Sequence, residues 1–209
     1  MQIRLATTHE TSVLLSEDFS GDPKRGKIPL ITTGLGRDTQ EWVDGELRLR
    51  AYSTNANLVN IPLLAKDLVI AFDVRVTGDQ NVENVSVTCR STANPFGGYR
   101  LNVAPVSFSA SLQRFGGPAT PGSIPNPTLV PSQQSQAIRG KNLVNHIELS
   151  CVGDQITGSV NGVTVATASD NVVTGPGTAQ IGLSGASAAG APAAEAAFDN
   201  VVVSSPKAH

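Results

Sequence analysis

Residues 144–168 read VNHIELSCVGDQITGSVNGVTVATA. In the first run Ile147, Leu149 and Cys151 fall on one face, with His146, Glu148 and Ser150 on the other. The runs Gln155–Val160 and Val163–Ala168 alternate in the same way. A period of two marks a half-buried strand, because successive side chains point to opposite faces of a sheet. Gly153-Asp154 and Asn161-Gly162 separate the runs. Asn-Gly suits the positive φ angles of a type I′ turn, so the stretch predicts an antiparallel three-strand meander over 143–168.

The same period extends outward in both directions. Glu46–Tyr52 (ELRLRAY) places Leu47, Leu49 and Ala51 together, and Leu68–Val76 (LVIAFDVRV) places Leu68, Ile70, Phe72, Val74 and Val76 together. Val85, Val87 and Cys89 share a face, with Ser86, Thr88 and Arg90 opposite. Tyr99–Val103, Val106–Leu112, Thr178–Leu183 and Ala197–Val203 alternate likewise, and no window carries a helical stripe. Short alternating strands between Gly, Pro and Asn turns predict an all-β, two-sheet antiparallel sandwich. Two segments break the pattern. Residues 116–136 hold Pro118, Pro121, Pro125, Pro127 and Pro131, which lack the ladder donor, so they read as a long surface loop. Residues 184–195 (SGASAAGAPAAE) are small-residue low complexity.

Composition narrows the function classes. The 209 residues suit one sandwich domain. Charged residues make up 15% and the net charge is -2, without the basic excess that neutralises nucleic-acid phosphates. Apolar runs such as Leu68–Phe72 are too short for a membrane span. Three histidines, two cysteines and one methionine leave little material for a zinc or haem site. Residues 1–15 show no apolar signal-peptide core, because Thr7, Thr8, His9, Glu10 and Thr11 interrupt it.

Several pieces then line up in order: Glu17-Asp18-Phe19-Ser20, Trp42 with Gly45, Cys89-Arg90, Gly98-Tyr99-Arg100, Asn145-His146-Ile147-Glu148-Leu149, Gly153-Asp154, Val160-Asn161-Gly162, Ile181-Gly182-Leu183 and Phe198-Asp199-Asn200-Val201. This order resembles concanavalin A-like jelly rolls of the laminin-G-like kind over about residues 16–204. The resemblance implies a jelly-roll β-sandwich at 16–204 with a Pro-rich insertion at 116–136, an N-terminal arm at 1–15 and a tail at 205–209. Similar modules often carry cysteines just before the Arg and just before the Gly-Asp turn. Cys89 and Cys151 occupy those places and both read as inward-facing, as a disulfide or as two buried thiols. A disulfide would indicate an oxidising compartment. Modules of this kind also often hold a structural calcium between the first and last strands. Asp18 and Asp199, beside Glu17 and Asn200, match those places; the other reading of Asp199 is a capping hydrogen bond.

Catalytic signals are sparse. The Glu-x-Asp-x-x-Glu strand of the superfamily's glucanases is absent, and the strand carboxylates Glu46, Asp73 and Glu148 are isolated. His146 beside Glu148 could pair a base with an orienter, yet no nucleophile has a recognisable setting, so polar surface is the favoured reading. For ligand binding, Arg90, Asn94, Phe96, Tyr99 and Arg100 could line one face or its rim. The plainer alternative is a satisfied arginine beside a core tyrosine. Trp42 reads as a sugar platform or as a core plug. Aromatics are only 4%, which weighs against a tight glycan site. Asn84-Val85-Ser86 is a glycosylation sequon of the kind expected once by chance.

The expectation is a non-enzymatic surface module that binds a glycan or other protein subunits. A phage virion part, as capsid decoration or minor tail protein, fits best, because lysis delivers such proteins without a signal peptide; an adhesion protein is the companion form. A sugar-processing hydrolase-like domain or an extracellular sensor domain is the alternative. Within the Pro-rich loop, Ile124, Leu129 and Val130 are the expected apolar anchors for a partner.

Overall fold

The structure, a computed structural model, describes residues 11–22, 26–30, 37–52, 56–79, 83–93, 96–116, 126–185 and 192–206. Within them fourteen strands form two antiparallel sheets. In chain order they are β1 (Thr11–Glu17), β2 (Thr39–Val43), β3 (Glu46–Ala51), β4 (Asn57–Ala65), β5 (Leu68–Val76), β6 (Asn84–Ala93) and β7 (Phe96–Ala104). There follow β8 (Ser109–Gly116), β9 (Thr128–Gln134), β10 (Asn145–Val152), β11 (Gln155–Val160), β12 (Val163–Ser169), β13 (Gly177–Ser184) and β14 (Ala194–Pro206). One sheet runs β12-β11-β10-β5-β14-β3-β2, with β1 also on β14. The other runs β4-β13-β6-β7-β8-β9. β14 is long enough to serve two partners along one edge: 194–198 pair with β3, and 201–206 with β1. A bulge between Asp199 and Val202 lets it stay paired with β5 on its other edge.

The alternating apolar faces meet between the sheets. Leu47, Leu49, Ile70, Phe72, Ile147, Leu149 and Val203 of the eight-stranded sheet are fully buried against Val85, Val87, Leu101, Leu112, Ile181 and Leu183 of the other. The meander forms as read: β10–β11–β12 pair in sequence, and Asn161 and Gly162 take φ of 51° and 79°. Cys89 on β6 and Cys151 on β10 form a disulfide that joins the sheets. Their Cα atoms are 6.6 Å apart, well inside the ~10 Å spacing of stacked sheets, so the layers converge at this end.

Three readings need correction. Residues 116–136 are not all loop, because 128–134 form β9 at the edge of the six-stranded sheet. Pro131 is tolerated there since an edge strand leaves donors unpaired on one side. Pro62 explains itself in the same way on β4, at the opposite edge. The strand expected at 106–112 begins only at Ser109, because Phe108 takes φ 54° in the turn before it. The arm expected at 1–15 already belongs to the sandwich from Thr11, and Ser205 and Pro206 still belong to β14; residues 1–10 and 207–209 lie outside the described residues.

Candidate functional site

The outward face of the six-stranded sheet is built in rows by strand register. One row crosses all six strands: Asn60, Gln180, Thr88, Arg100, Gln113 and Thr128. The next carries Leu58, Gly182, Ser86, Asn102 and Ser111. At ~4.8 Å per strand the first row spans roughly 24 Å, the length of an extended ligand rather than of a single small molecule. Between the rows runs a groove of about 360 Å³ lined by Ala56, Asn84, Ser86, Arg100, Asn102, Ser111, Gln113, Ser132 and Ser184. Gly182 in the second row leaves no room for a side chain: a Cβ there would meet Leu58 Cδ2 at 2.6 Å, Asn57 O at 2.8 Å and Ser86 Oγ at 3.2 Å.

The lining is hydroxyl and amide, with one cation and, among the described lining residues, no carboxylate. Beside the groove, the first row is already oriented: Gln180 Nε2 donates to Asn60 Oδ1 at 2.6 Å, and Thr88 Oγ1 donates to Gln180 Oε1 at 3.2 Å. Part of the lining itself is unmet. Ser86 is only 3% exposed, and neither its Oγ nor the buried Nε of Arg100 has a hydrogen-bond partner. The Arg100 guanidinium lies 4.9 Å over the ring of Phe115, two residues along β8 from Gln113.

Of the expected ligand residues whose side chains the structure describes, Arg100 alone reaches this groove. Arg90 does not share the face of Ser86 and Thr88. A bulge follows Cys89, Arg90 takes φ 52°, and its side chain turns into the end of the sandwich at 0% exposure. There it donates to Lys66 O (2.8 Å), Val173 O (3.1 Å), Asp67 Oδ1 (3.1 Å) and Gly153 O (2.6 Å). It thus ties the β4–β5 turn, the β10–β11 turn and the segment before β13. Tyr99 is equally buried, its hydroxyl donating to Asp170 Oδ1 at 2.7 Å and accepting from Val173 N. Arg114 holds the other Asp170 oxygen at 2.7 Å. Trp42 sits on the opposite sheet, half-buried against the core, edge-on to Phe19 at 5.2 Å and packed on Gly26. Leu129 and Val130 also pack against the core, half-buried on β9. Asn94, the Phe96 side chain and Ile124 lie outside the described residues.

The eight-stranded sheet presents a different outward face. Its groove of about 370 Å³ is lined by Glu41, Glu46, Arg48, Arg50, Arg75 and Glu195 among others, and its charges neutralise one another. Arg75 holds Glu46 at 2.8 Å and Arg50 holds Glu195 at 2.9 Å. His146 pairs with Asp73 across β10–β5 at 2.8 Å rather than with Glu148, and Asn200 Nδ2 donates to the other Asp73 oxygen. The hollow beside Asp73 offers no serine or cysteine among its described lining. Burial raises the Asp199 carboxyl, and Asp73, Glu46 and Asp18 add to the effect. Ser20, through hydroxyl and amide, holds Asp18 below the usual carboxylate range. Glu17 anchors its own loop, accepting from Lys27 N at 2.6 Å. Among the described residues no three His, Cys, Asp or Glu side chains converge as a metal site. Asp18 and Asp199 would supply at most two side chains toward the six to eight oxygen ligands that calcium takes.

No family model matches the sequence, and no curated protein matches it. The fold is similar to that of the carbohydrate-binding module CBM66 from Bacillus subtilis, with TM-score 0.62 and 16% identity over 81% of this chain and 92% of that one. It is also similar to κ-carrageenase from Pseudoalteromonas carrageenovora in complex with an oligotetrasaccharide of κ-carrageenan (TM-score 0.69, 10% identity, 98% of this chain and 99% of that one). A third similar structure is the catalytic domain of an endo-1,3-β-glucanase from Thermotoga petrophila RKU-1 (TM-score 0.67, 8% identity, 96% of this chain and 100% of that one). The sandwich is a concanavalin A-like jelly roll, a fold shared by binding modules and glycoside hydrolases.

Proposed function

We propose that the protein is a non-catalytic carbohydrate-binding module whose site is the outward face of the six-stranded sheet. The observation that carries this reading is the lining of the groove. Asn84, Asn102, Gln113, Ser86, Ser111, Ser132 and Ser184 offer donors and acceptors in rows, which is what a chain of sugar hydroxyls pairs with. Glycoside hydrolysis by the usual route needs two carboxyl groups about 5–9.5 Å apart across the scissile bond. The described lining of this groove supplies none; on the opposite sheet arginines hold Glu46 and Glu195, and His146 and Asn200 hold Asp73. The inter-sheet disulfide supports work in an oxidising, extracellular setting. The virion and adhesion roles find no support in the fold or in the comparisons.

Affinity electrophoresis against a panel of soluble polysaccharides tests the proposal. Retardation by at least one glycan is expected, with a loss of tenfold or more in the Asn102→Ala/Gln113→Ala double variant. Reducing-end assays on the retained glycans should show no release. Retention unchanged in the double variant moves the site elsewhere, and turnover of a retained glycan overturns the non-catalytic reading.

A further inference from the structure

Charge sets Arg100 apart. Among the described strand arginines, Arg48, Arg50, Arg75, Arg90 and Arg114 each lie against a carboxylate. Arg100 meets none among the described residues, and burial draws its guanidinium below arginine's ordinary range. A partly desolvated cation without a counter-ion is costly, and such groups concentrate where a ligand supplies the missing charge.

The surroundings hold the group ready. Phe115 supports one face of the guanidinium, and among the described residues no hydrogen bond engages its in-plane terminal donors. Gly98, opposite Phe115 in the ladder, makes room for that ring: a Cβ there would meet Phe115 Cζ at 2.6 Å and Cys89 O at 3.0 Å. In the next row the buried, unpartnered Ser86 hydroxyl lies opposite Asn102. A planar fork with free donors matches the paired oxygens of a carboxylate or sulfate, whereas a neutral hydroxyl would leave the charge unmet. Resting on the saccharide-binding reading of this face, we infer that the groove takes an acidic polysaccharide. Arg100 receives its carboxylate or sulfate group, and Asn102 and Gln113 receive the flanking hydroxyls. The chain's net charge of -2 gives no general attraction to polyanions, so the preference must come from this local charge.

The test uses polygalacturonate, its methyl ester, dextran sulfate and dextran as probes for the intact, disulfide-bonded protein. At least one acidic polymer should bind ten- to a hundred-fold more tightly than its neutral counterpart, the range of a charge-assisted pair. Which one does so tells carboxylate from sulfate. Arg100→Met should abolish the preference, Arg100→Lys should keep part of it, and Arg48→Met on the opposite sheet should leave it unchanged. Protection of Arg100 from phenylglyoxal by the bound acidic polymer, read by mass spectrometry on the unaltered chain, is independent of how the variants fold. Equal binding of acidic and neutral polymers, a preference that survives Arg100→Met, or no protection refutes the inference while the saccharide-binding reading stands. Binding of no polysaccharide of either kind, here and across the wider panel, takes down both.

Discussion

Replacing Arg90 with Met tests the account of how the sandwich end is held. The guanidinium is fully buried and makes hydrogen bonds to three backbone carbonyls and to Asp67. Asp67 is 38% exposed in its side chain and can return to water, so the ion pair is the smaller part of the loss. The carbonyls of Lys66, Val173 and Gly153 lose a charged donor each, at about 1.5 kcal/mol apiece on the low side of the usual range. The sum is about 4.5 kcal/mol, within the ~3–5 kcal/mol of breaking other buried ion pairs. Backbone strain does not enter, because Arg and Met bear φ 52° equally. Urea unfolding with the disulfide kept intact should show the midpoint falling by roughly 2 M, for a slope near ~2 kcal/mol/M that does not change. Hydrogen exchange at the Gly153 amide, which donates to Asp67 Oδ1 at 2.9 Å, should quicken more than exchange in β10. A loss below about 1 kcal/mol would show that water replaces the guanidinium without difficulty, and the tie between these turns would then be incidental.

Removing the disulfide as Cys89→Ala/Cys151→Ala frees a loop with a sequence separation of 62, which costs about 4 kcal/mol in the chain-entropy model; reductant on the parent should reproduce most of it in thermal melts, and equal melts with and without reductant would contradict it. Burial, with help from the Asp170 hydrogen bond, pushes the Tyr99 hydroxyl up to about 12. The raised group stabilises the fold fully below the unfolded value of about 10, so stability should be level up to there and fall by about 2–3 kcal/mol as pH rises through about 12. Tyr99→Phe should flatten that alkaline slope, and a slope left unchanged assigns it to another group. At the meander turn, Asn161→Ala should lose about 2–3 kcal/mol, since Ala resists φ 51° and drops the side-chain bonds to Ala137 O and His146 N. Asn161→Gly, free of the backbone penalty, should lose about 1–2 kcal/mol, and equal losses in urea titrations would reject the split.

The strands legible in the sequence are those where one face is buried over several residues. β5 and β11 match their expected bounds, and β3, β10, β12 and β13 match to within a residue or so at each end. β1, β2, β4 and β9 escaped because edges and short pairings relax the alternation. β9 has no buried position, and β4 keeps its alternation of burial but hides it in sequence, with buried Asn57 on the inner face and exposed Leu64 beside Leu63. A usable signal did exist between β2 and β3. Asp44-Gly45, at φ 54° and 76°, is a second hairpin turn of the Asn-Gly kind.

The site was less legible, for a reason of register. A solvated sheet face is also made of Ser, Asn, Gln and Thr, so Asn102 or Ser111 alone says nothing. Those residues become a groove only when β13, β6, β7 and β8 pair so that Gly182, Ser86, Asn102 and Ser111 fall abreast. The same pairing separates Arg100 from every acid that balances its sister arginines on the other strands. Sequence alternation could place Arg100 outward once Tyr99 was taken as core. It could not treat Arg90 correctly, because one residue in the left-handed region reverses the faces beyond a bulge. Of two arginines read as equal candidates, backbone geometry therefore makes one a structural tie and the other the free cation of a neutral groove.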